Sequence, residues 1–98
     1  MLLYEVTLQV TPATAPAVED HMRREHIPGI FACGCFQRIH FERASPARFR
    51  TRYEAQTEDD LARYLRDYAP RFRATFQEHF PTGATLTRET WAPVESWG

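Results

Sequence analysis

The sequence predicts a single α+β domain whose elements follow the order β-α-β-β-α-β. Three observations support this prediction: polar and apolar residues alternate at the start of the chain, two later segments alternate around a compact turn, and two stretches carry apolar side chains at helical spacing. Because 98 residues is close to the commonest domain size, we expect one hydrophobic core over residues 1–98. Residues 92–98 are expected to form a C-terminal tail that carries Trp97.

The first strand and the first helix are predicted from two different periods. Apolar and polar residues alternate along residues 2–10, which is typical of a strand with one buried face. A turn rich in Pro, Thr and Ala follows over residues 11–16, after which Val18 and Met22 lie at helical spacing. Since Pro28 disfavours helical backbone at the residue before it, we expect this helix to end near His26.

The middle of the chain predicts a β-hairpin. Residues 34–43 and 48–56 form the second and third strands, and residues 44–47 form the turn between them. In the third strand, Phe49 and Tyr53 share the buried face, whereas the arginines face the other way.

The second helix and the last strand complete the order. Thr57 precedes three acidic residues, a pattern that predicts an N-cap with charges favourable to the helix dipole. An aromatic stripe follows and is interrupted by Pro70, which should kink or restart the helix. Residues 84–91 are predicted to form the fourth strand.

Two β-α-β units in this order predict a ferredoxin-like sandwich, with an antiparallel sheet of order 4-1-3-2 and both helices on one face. The opposite face would carry a charge lattice of Arg38, His40, Arg50 and Arg52, which acidic residues on neighbouring strands neutralise. We expect water or a second subunit to cover this face.

Composition and charge argue against several classes of function. The net charge is −1, and the 12 basic residues are all Arg, so no basic stripe suited to nucleic acid is present. No apolar run approaches the roughly 18 residues of a membrane span. The first residues lack the basic region of a signal peptide, so a cytoplasmic location is expected.

Several short motifs carry a resemblance to a known family. They are Tyr4-x-Val6, His26-Ile27-Pro28, Gly34-x-Phe36, Tyr53, and Tyr64 or Tyr68 with Ala69-Pro70-x-x-Arg73. Through them almost the whole chain resembles domain-of-unknown-function family 4286, a bacterial family in the dimeric α+β-barrel group. The resemblance implies a ferredoxin-like fold and a homodimer, but no established reaction.

His26 is the candidate catalytic residue, because an imidazole at a helix end beside a sheet could act as an acid or base near neutral pH. Alternatively, it caps the last helix carbonyls. Tyr53, Tyr64 and Tyr68 would line a ligand pocket beside it, or would simply belong to the core.

Metal and cofactor sites are not predicted. Cys33, Cys35 and His26 supply ligand types for zinc, but a fourth ligand is missing. His21 lies five residues before His26, a spacing that places the two on different sides of an α-helix. The chain also contains no Asn, which the haem-degrading enzymes and acylphosphatases of related fold are expected to have.

Three functions therefore remain open. The first is a homodimeric small-molecule-binding or accessory protein. The second is a cofactor-independent enzyme, monooxygenase-like or isomerase-like, that uses His26. The third is a structural interaction module. A cavity that joins His26 to Tyr53 or Tyr64 would favour the enzyme.

Overall fold

The strands form one antiparallel sheet in the predicted order. The computed structural model describes all residues from Met1 to Gly98. The sheet runs β2-β3-β1-β4, so the predicted order is confirmed. Its strands are β1 (Leu2–Val10), β2 (Arg38–Ser45), β3 (Arg48–Ala55) and β4 (Ala84–Trp91).

The helical segments cover one face of this sheet. They are α1 (Ala15–His21), a π-helical turn (Met22–His26), α2 (Ile27–Phe31), α3 (Glu58–Asp67) and α4 (Ala69–His79). None of these helices is long and apolar enough to cross a membrane.

The prediction that the first helix ends near His26 is wrong. The helical backbone continues through Pro28 to Phe31. The backbone amide of Ile27 donates to the carbonyl of Met22, five residues earlier, which widens the turn just ahead of the proline. Pro28 then occupies the first turn of α2, where its missing amide donor leaves no bond unmade.

The π-helical turn also corrects the expectation that His21 and His26 lie on different sides of the helix. Their ring centroids are 5.9 Å apart. In a π-helix the bonded neighbours are five residues apart, so a spacing that separates side chains on an α-helix brings them together here.

The second strand begins later than predicted, at Arg38 instead of Gly34. Gly34 has a φ of 76°, and its amide donates to the Phe31 carbonyl, so it closes the preceding helix as a C-terminal glycine. Cys33 and Cys35 therefore do not alternate along a strand. Cys35 and Phe36 are instead buried in the core.

The other helix boundaries follow the sequence closely. Thr57 is the N-cap of α3, and its side chain accepts a hydrogen bond from the amide of Asp60 at 3.1 Å. The helix breaks at Tyr68, and Pro70 stands in the first turn of α4, so the predicted restart is confirmed.

The core lies between the sheet and the helices. Tyr4, Tyr53 and Tyr64 pack in one cluster, whereas Leu8 and Phe49 belong to a second cluster toward the other end of the sheet. The predicted inward face of β1 and β3 is confirmed, since all five of these side chains are buried.

The opposite face of the sheet carries ion pairs. Glu42 accepts hydrogen bonds from the Nε atoms of Arg50 and Arg52, each at 3.0 Å. These two guanidiniums, Arg52 foremost, lower the pKa of Glu42. His40 Nε2 lies 2.6 Å from Glu54 Oε2, whereas Arg38 is exposed, opposite Glu54 in the strand register.

Candidate functional site

A cavity of about 230 Å³ lies between the helices and the sheet. Nine of the thirteen residues around it are hydrophobic. The remaining side chains supply the polar chemistry of the site, and they come from the π-helical turn, α4 and β4. They are His26, Arg73, Gln77 and Arg88.

Three tyrosines form one wall of the cavity. The ring centroid of Tyr4 lies 5.6 Å from that of Tyr53 and 6.1 Å from that of Tyr64. Burial raises the pKa of Tyr53 and of Tyr64, and in each case a neighbouring tyrosine raises it further. The wall therefore presents neutral phenol rings to a ligand.

His26 reaches the cavity from the π-helical turn. Its half-buried ring lies between Phe72 and Phe76, with a centroid separation of 5.8 Å to each. Burial, and next the neighbouring His21, lowers the pKa of His26 to about 4. At neutral pH the ring is uncharged and offers one lone pair.

The helix-cap interpretation of His26 is wrong. The helix continues five residues beyond it to Phe31. No backbone carbonyl of the chain receives a hydrogen bond from its ring. The ring nitrogens are thus available to a molecule in the cavity.

Two arginines stand at the mouth of the cavity. Arg73 projects from α4, and its Nη2 donates a hydrogen bond to the hydroxyl of Tyr4 at 3.0 Å. Arg88 projects from β4, on the same side of that strand as Leu86. Both are exposed, neither belongs to an ion pair, and no acidic residue lines the cavity. The mouth is consequently cationic.

The residues predicted for the site are only partly brought together. His26, Tyr53 and Tyr64 all line the cavity. Tyr68 does not: it sits at the break between α3 and α4 and packs against the edge of the core. The four charge-lattice residues Arg38, His40, Arg50 and Arg52 lie on the far side of the sheet.

Sequence reasoning missed Tyr4, Arg73 and Arg88 as site residues. The first two stood in the motifs that carry the family resemblance, Tyr4-x-Val6 and Ala69-Pro70-x-x-Arg73. Arg88 could have been found by parity, because it shares the inward face of its strand with Leu86. The resemblance motifs thus contribute six lining residues: Tyr4, Val6, His26, Tyr53, Tyr64 and Arg73.

The two cysteines do not form a metal site with His26. The three residues are not grouped at ligand distance. Cys33 Sγ instead lies 3.5 Å from the Gly29 carbonyl oxygen, and both thiols are free. Burial raises the pKa of each thiol, so both are protonated at neutral pH.

The chain belongs to the family described as a domain of unknown function, DUF4286, because residues 1–93 match that family. No curated protein matches it in sequence.

Solved structures with the same fold come from several organisms. A dimeric ferredoxin-like protein from an uncultured marine organism is 8% identical over 99% of this chain and 98% of that chain, with a TM-score of 0.73. A variant of SnoaB, a cofactor-independent oxygenase from Streptomyces nogalater, is 14% identical over 97% and 94%, with a TM-score of 0.68. An ethyl tert-butyl ether d (ethd) family protein from Bacillus halodurans is 14% identical over 91% and 97%, also at 0.68. Together they establish a ferredoxin-like α+β fold.

Proposed function

We propose that this protein binds a small organic anion, a single aromatic ring bearing a carboxylate, in the cavity between its helices and its sheet. The observation that carries the proposal is the pairing of an aromatic wall with two guanidiniums that no acidic residue neutralises. A monoanion with an apolar body matches both halves of this site.

The size of the cavity limits the ligand. Its volume of about 230 Å³ is below the roughly 300–1,000 Å³ of sites for drug-sized molecules. One ring with a short acidic side chain is therefore the appropriate scale. The ring would lie against the tyrosine wall, where aromatic pairs gain about 0.5–1.5 kcal/mol beyond the burial of area.

The charged end of the ligand would face the mouth. Arginine presents a planar fork of donors that matches a carboxylate in a bidentate manner. Tyr4 holds one edge of the Arg73 guanidinium through its hydroxyl, which restricts the orientation of that fork. The neutral ring of His26 would accept a hydrogen bond from a hydroxyl on the ligand, if it carries one.

Titration calorimetry with benzoate and phenylacetate tests the proposal, with benzamide and phenylacetamide as uncharged controls. We expect each acid to bind at least about tenfold more tightly than its amide, since charged hydrogen bonds add roughly 1.5–3 kcal/mol. Arg88→Gln should remove this preference. Arg66→Gln makes the same charge change on α3, outside the cavity, and should leave it intact. Equal affinity for acids and amides would overturn the proposal.

A cofactor-independent enzyme is the second candidate function, and the position of His26 in the cavity favours it. Catalysis would require this ring to accept a proton from the ligand. A general base works best when its pKa is near the operating pH, and a pKa of about 4 makes His26 a weak one. Binding is for this reason the better-supported function.

Phenylpyruvate is a suitable probe for the enzymatic alternative, because it joins a ring and a carboxylate to an acidic C–H bond. His26 would take the proton from that carbon and return it to the enolate oxygen, which gives the enol. Exchange of this proton with D2O, followed by NMR, should be faster with the protein than with His26→Gln. Equal exchange rates would exclude the enzymatic function for this probe.

We further propose that the chain forms a homodimer. Trp91 on β4 and Val94 and Trp97 in the tail are large apolar side chains that are more than half exposed in the monomer, which is typical of a surface that a partner covers. The dimeric ferredoxin-like relative supports the same assembly. Sedimentation should give a species of twice 11.5 kDa at micromolar concentration, and a monomer alone would contradict the dimer.

A cytoplasmic location is also proposed, because the two thiols are free and reducing compartments preserve free cysteines. Thiol quantification on freshly isolated protein should find two reduced groups per chain.

A further inference from the structure

We propose that His21, Glu25 and His79 bind a divalent transition-metal ion of the Zn²⁺ class, at a site separate from the ligand cavity. His21 ends α1, Glu25 follows one turn later in the π-helical turn, and His79 ends α4. The donor atoms of these three side chains lie within 4.8 Å of one another. The proposal is independent of the function assigned to the cavity.

The donor distances are close to those that a metal ion requires. His21 Nδ1 lies 3.0 Å from Glu25 Oε2, and His79 Nε2 lies 4.0 Å from the same oxygen. With metal–ligand bonds of about 2.1 Å, neighbouring donors of a tetrahedral ion are roughly 3.4 Å apart. The observed distances fall on either side of this value. His79 and Glu25 are exposed and free to adjust by a few tenths of an ångström.

The backbone fixes the protonation of His79 in the form that a metal binds. Its Nδ1 lies 2.9 Å from the carbonyl oxygen of Thr75, which can only accept, so the ring proton is on Nδ1. Metal-binding histidines commonly donate their second nitrogen to a carbonyl in this way. The Nε2 lone pair is then directed toward the Glu25 carboxylate, an arrangement of two acceptors that a cation between them would stabilise.

His21 is held in the neutral form that a metal binds. Only 7% of its side chain is exposed, and its Nε2 is buried without a hydrogen-bond partner. Burial and the nearby His79 lower its pKa, although Glu25 opposes them. A neutral imidazole supplies the lone pair that a metal bond requires.

The ligand set defines the class of metal. Two imidazoles and one carboxylate suit Zn²⁺ and its first-row neighbours, whereas Mg²⁺ and Ca²⁺ prefer oxygen ligands. Three protein ligands leave one position for water. A bound ion would also link the end of α4 to the helix that contains α1, so metal binding is expected to raise the melting temperature.

Titration of the metal-free full-length protein with ZnCl2 tests this site by calorimetry and by thermal unfolding. We expect one ion per chain, and a rise in Tm of roughly 10 °C when the metal is about 100 times its Kd. His79→Gln and Glu25→Gln should each weaken binding at least about tenfold. Because both side chains are exposed, these variants are expected to fold.

Two controls separate this site from other zinc ligands. His40→Gln removes a histidine that also pairs with a glutamate but has no third ligand, and it should leave zinc affinity unchanged. The Co²⁺ complex should lack the intense near-ultraviolet band of thiolate ligation, which excludes Cys33 and Cys35. Absence of zinc binding, or binding that His79→Gln leaves undiminished, would overturn the proposal, and a proton alone would then bridge His79 and Glu25.

Discussion

Arg73 donates a hydrogen bond to the hydroxyl of Tyr4 at 3.0 Å, across 69 positions of sequence. The bond joins α4 to β1 at the mouth of the cavity. It gives a buried phenol its hydrogen-bond partner and holds an otherwise free guanidinium beside the aromatic wall.

Tyr4→Phe should therefore separate the orientation of Arg73 from its charge. We expect the variant to lose about 1 kcal/mol of stability in urea unfolding, the typical contribution of one hydrogen bond. Benzoate affinity should fall, but less than in Arg73→Gln, because the positive charge remains. Affinity identical to that of the original protein would show that the bond has no part in binding.

Stability should decline in acid because of His26. Its pKa falls from 6.5 in the unfolded chain to about 4 in the folded protein, so the unfolded state binds the proton more tightly. The stabilisation is complete above pH 6.5 and is lost as the pH falls through 4, by at most about 3 kcal/mol.

Urea unfolding in the presence of EDTA, compared between the original protein and His26→Gln, measures this loss. The variant should show the shallower decline, although His21, whose pKa is also lowered, keeps part of it. Parallel curves for the two proteins would contradict the assignment. NMR titration of the imidazole resonances reports the pKa of His26 directly.

Gly29→Ala should destabilise the protein, although this change in a helix ordinarily stabilises by up to about 1 kcal/mol. A Cβ atom at this position would meet Phe72 Cε1 at 2.9 Å. The Phe72 ring must then shift, and because it lines the cavity, benzoate affinity should change as well. Unchanged affinity together with higher stability would show that the ring moves without strain.

Thr57→Ala removes the cap of α3 and should lower the free energy of unfolding by about 1 kcal/mol. The amide of Asp60, which donates to this hydroxyl at 3.1 Å, loses its partner. Thr82→Ala, an exposed threonine outside any helix or strand, serves as the control and should have little effect. Circular dichroism during urea unfolding gives both values.

The element order and sheet topology followed from the sequence because they depend on local periods. Alternation along β1 and the restart at Pro70 are properties of neighbouring residues. Pro28 misled because its usual effect assumes an α-helix, whereas the preceding backbone here is a π-turn. A hydrogen bond spanning five residues has no signature in the hydrophobic pattern.

The site was less predictable than the fold, because its residues meet only in the tertiary structure. Tyr53 and Tyr64 could be placed on the helix-facing side, yet nothing local distinguishes a tyrosine that lines a cavity from one that fills a core. Arg73 and Arg88 come from a helix and a strand, and their shared position at one opening depends on sheet order. The His79 contact with Glu25 likewise joins residues that are 54 positions apart.

The π-helical turn sets the helical phase of everything after it. It holds one residue more than an α-helical turn would need, and each residue rotates the helix by about 100°. Loss of a single residue between Met22 and His26 would therefore swing α2 around its axis and move Ile30, which is 0% exposed, out of the core. It would also separate Glu25 from His21 and turn His26 away from the tyrosine wall. Substitutions in this turn are local changes, whereas a deletion would misalign the cavity and the histidine cluster together.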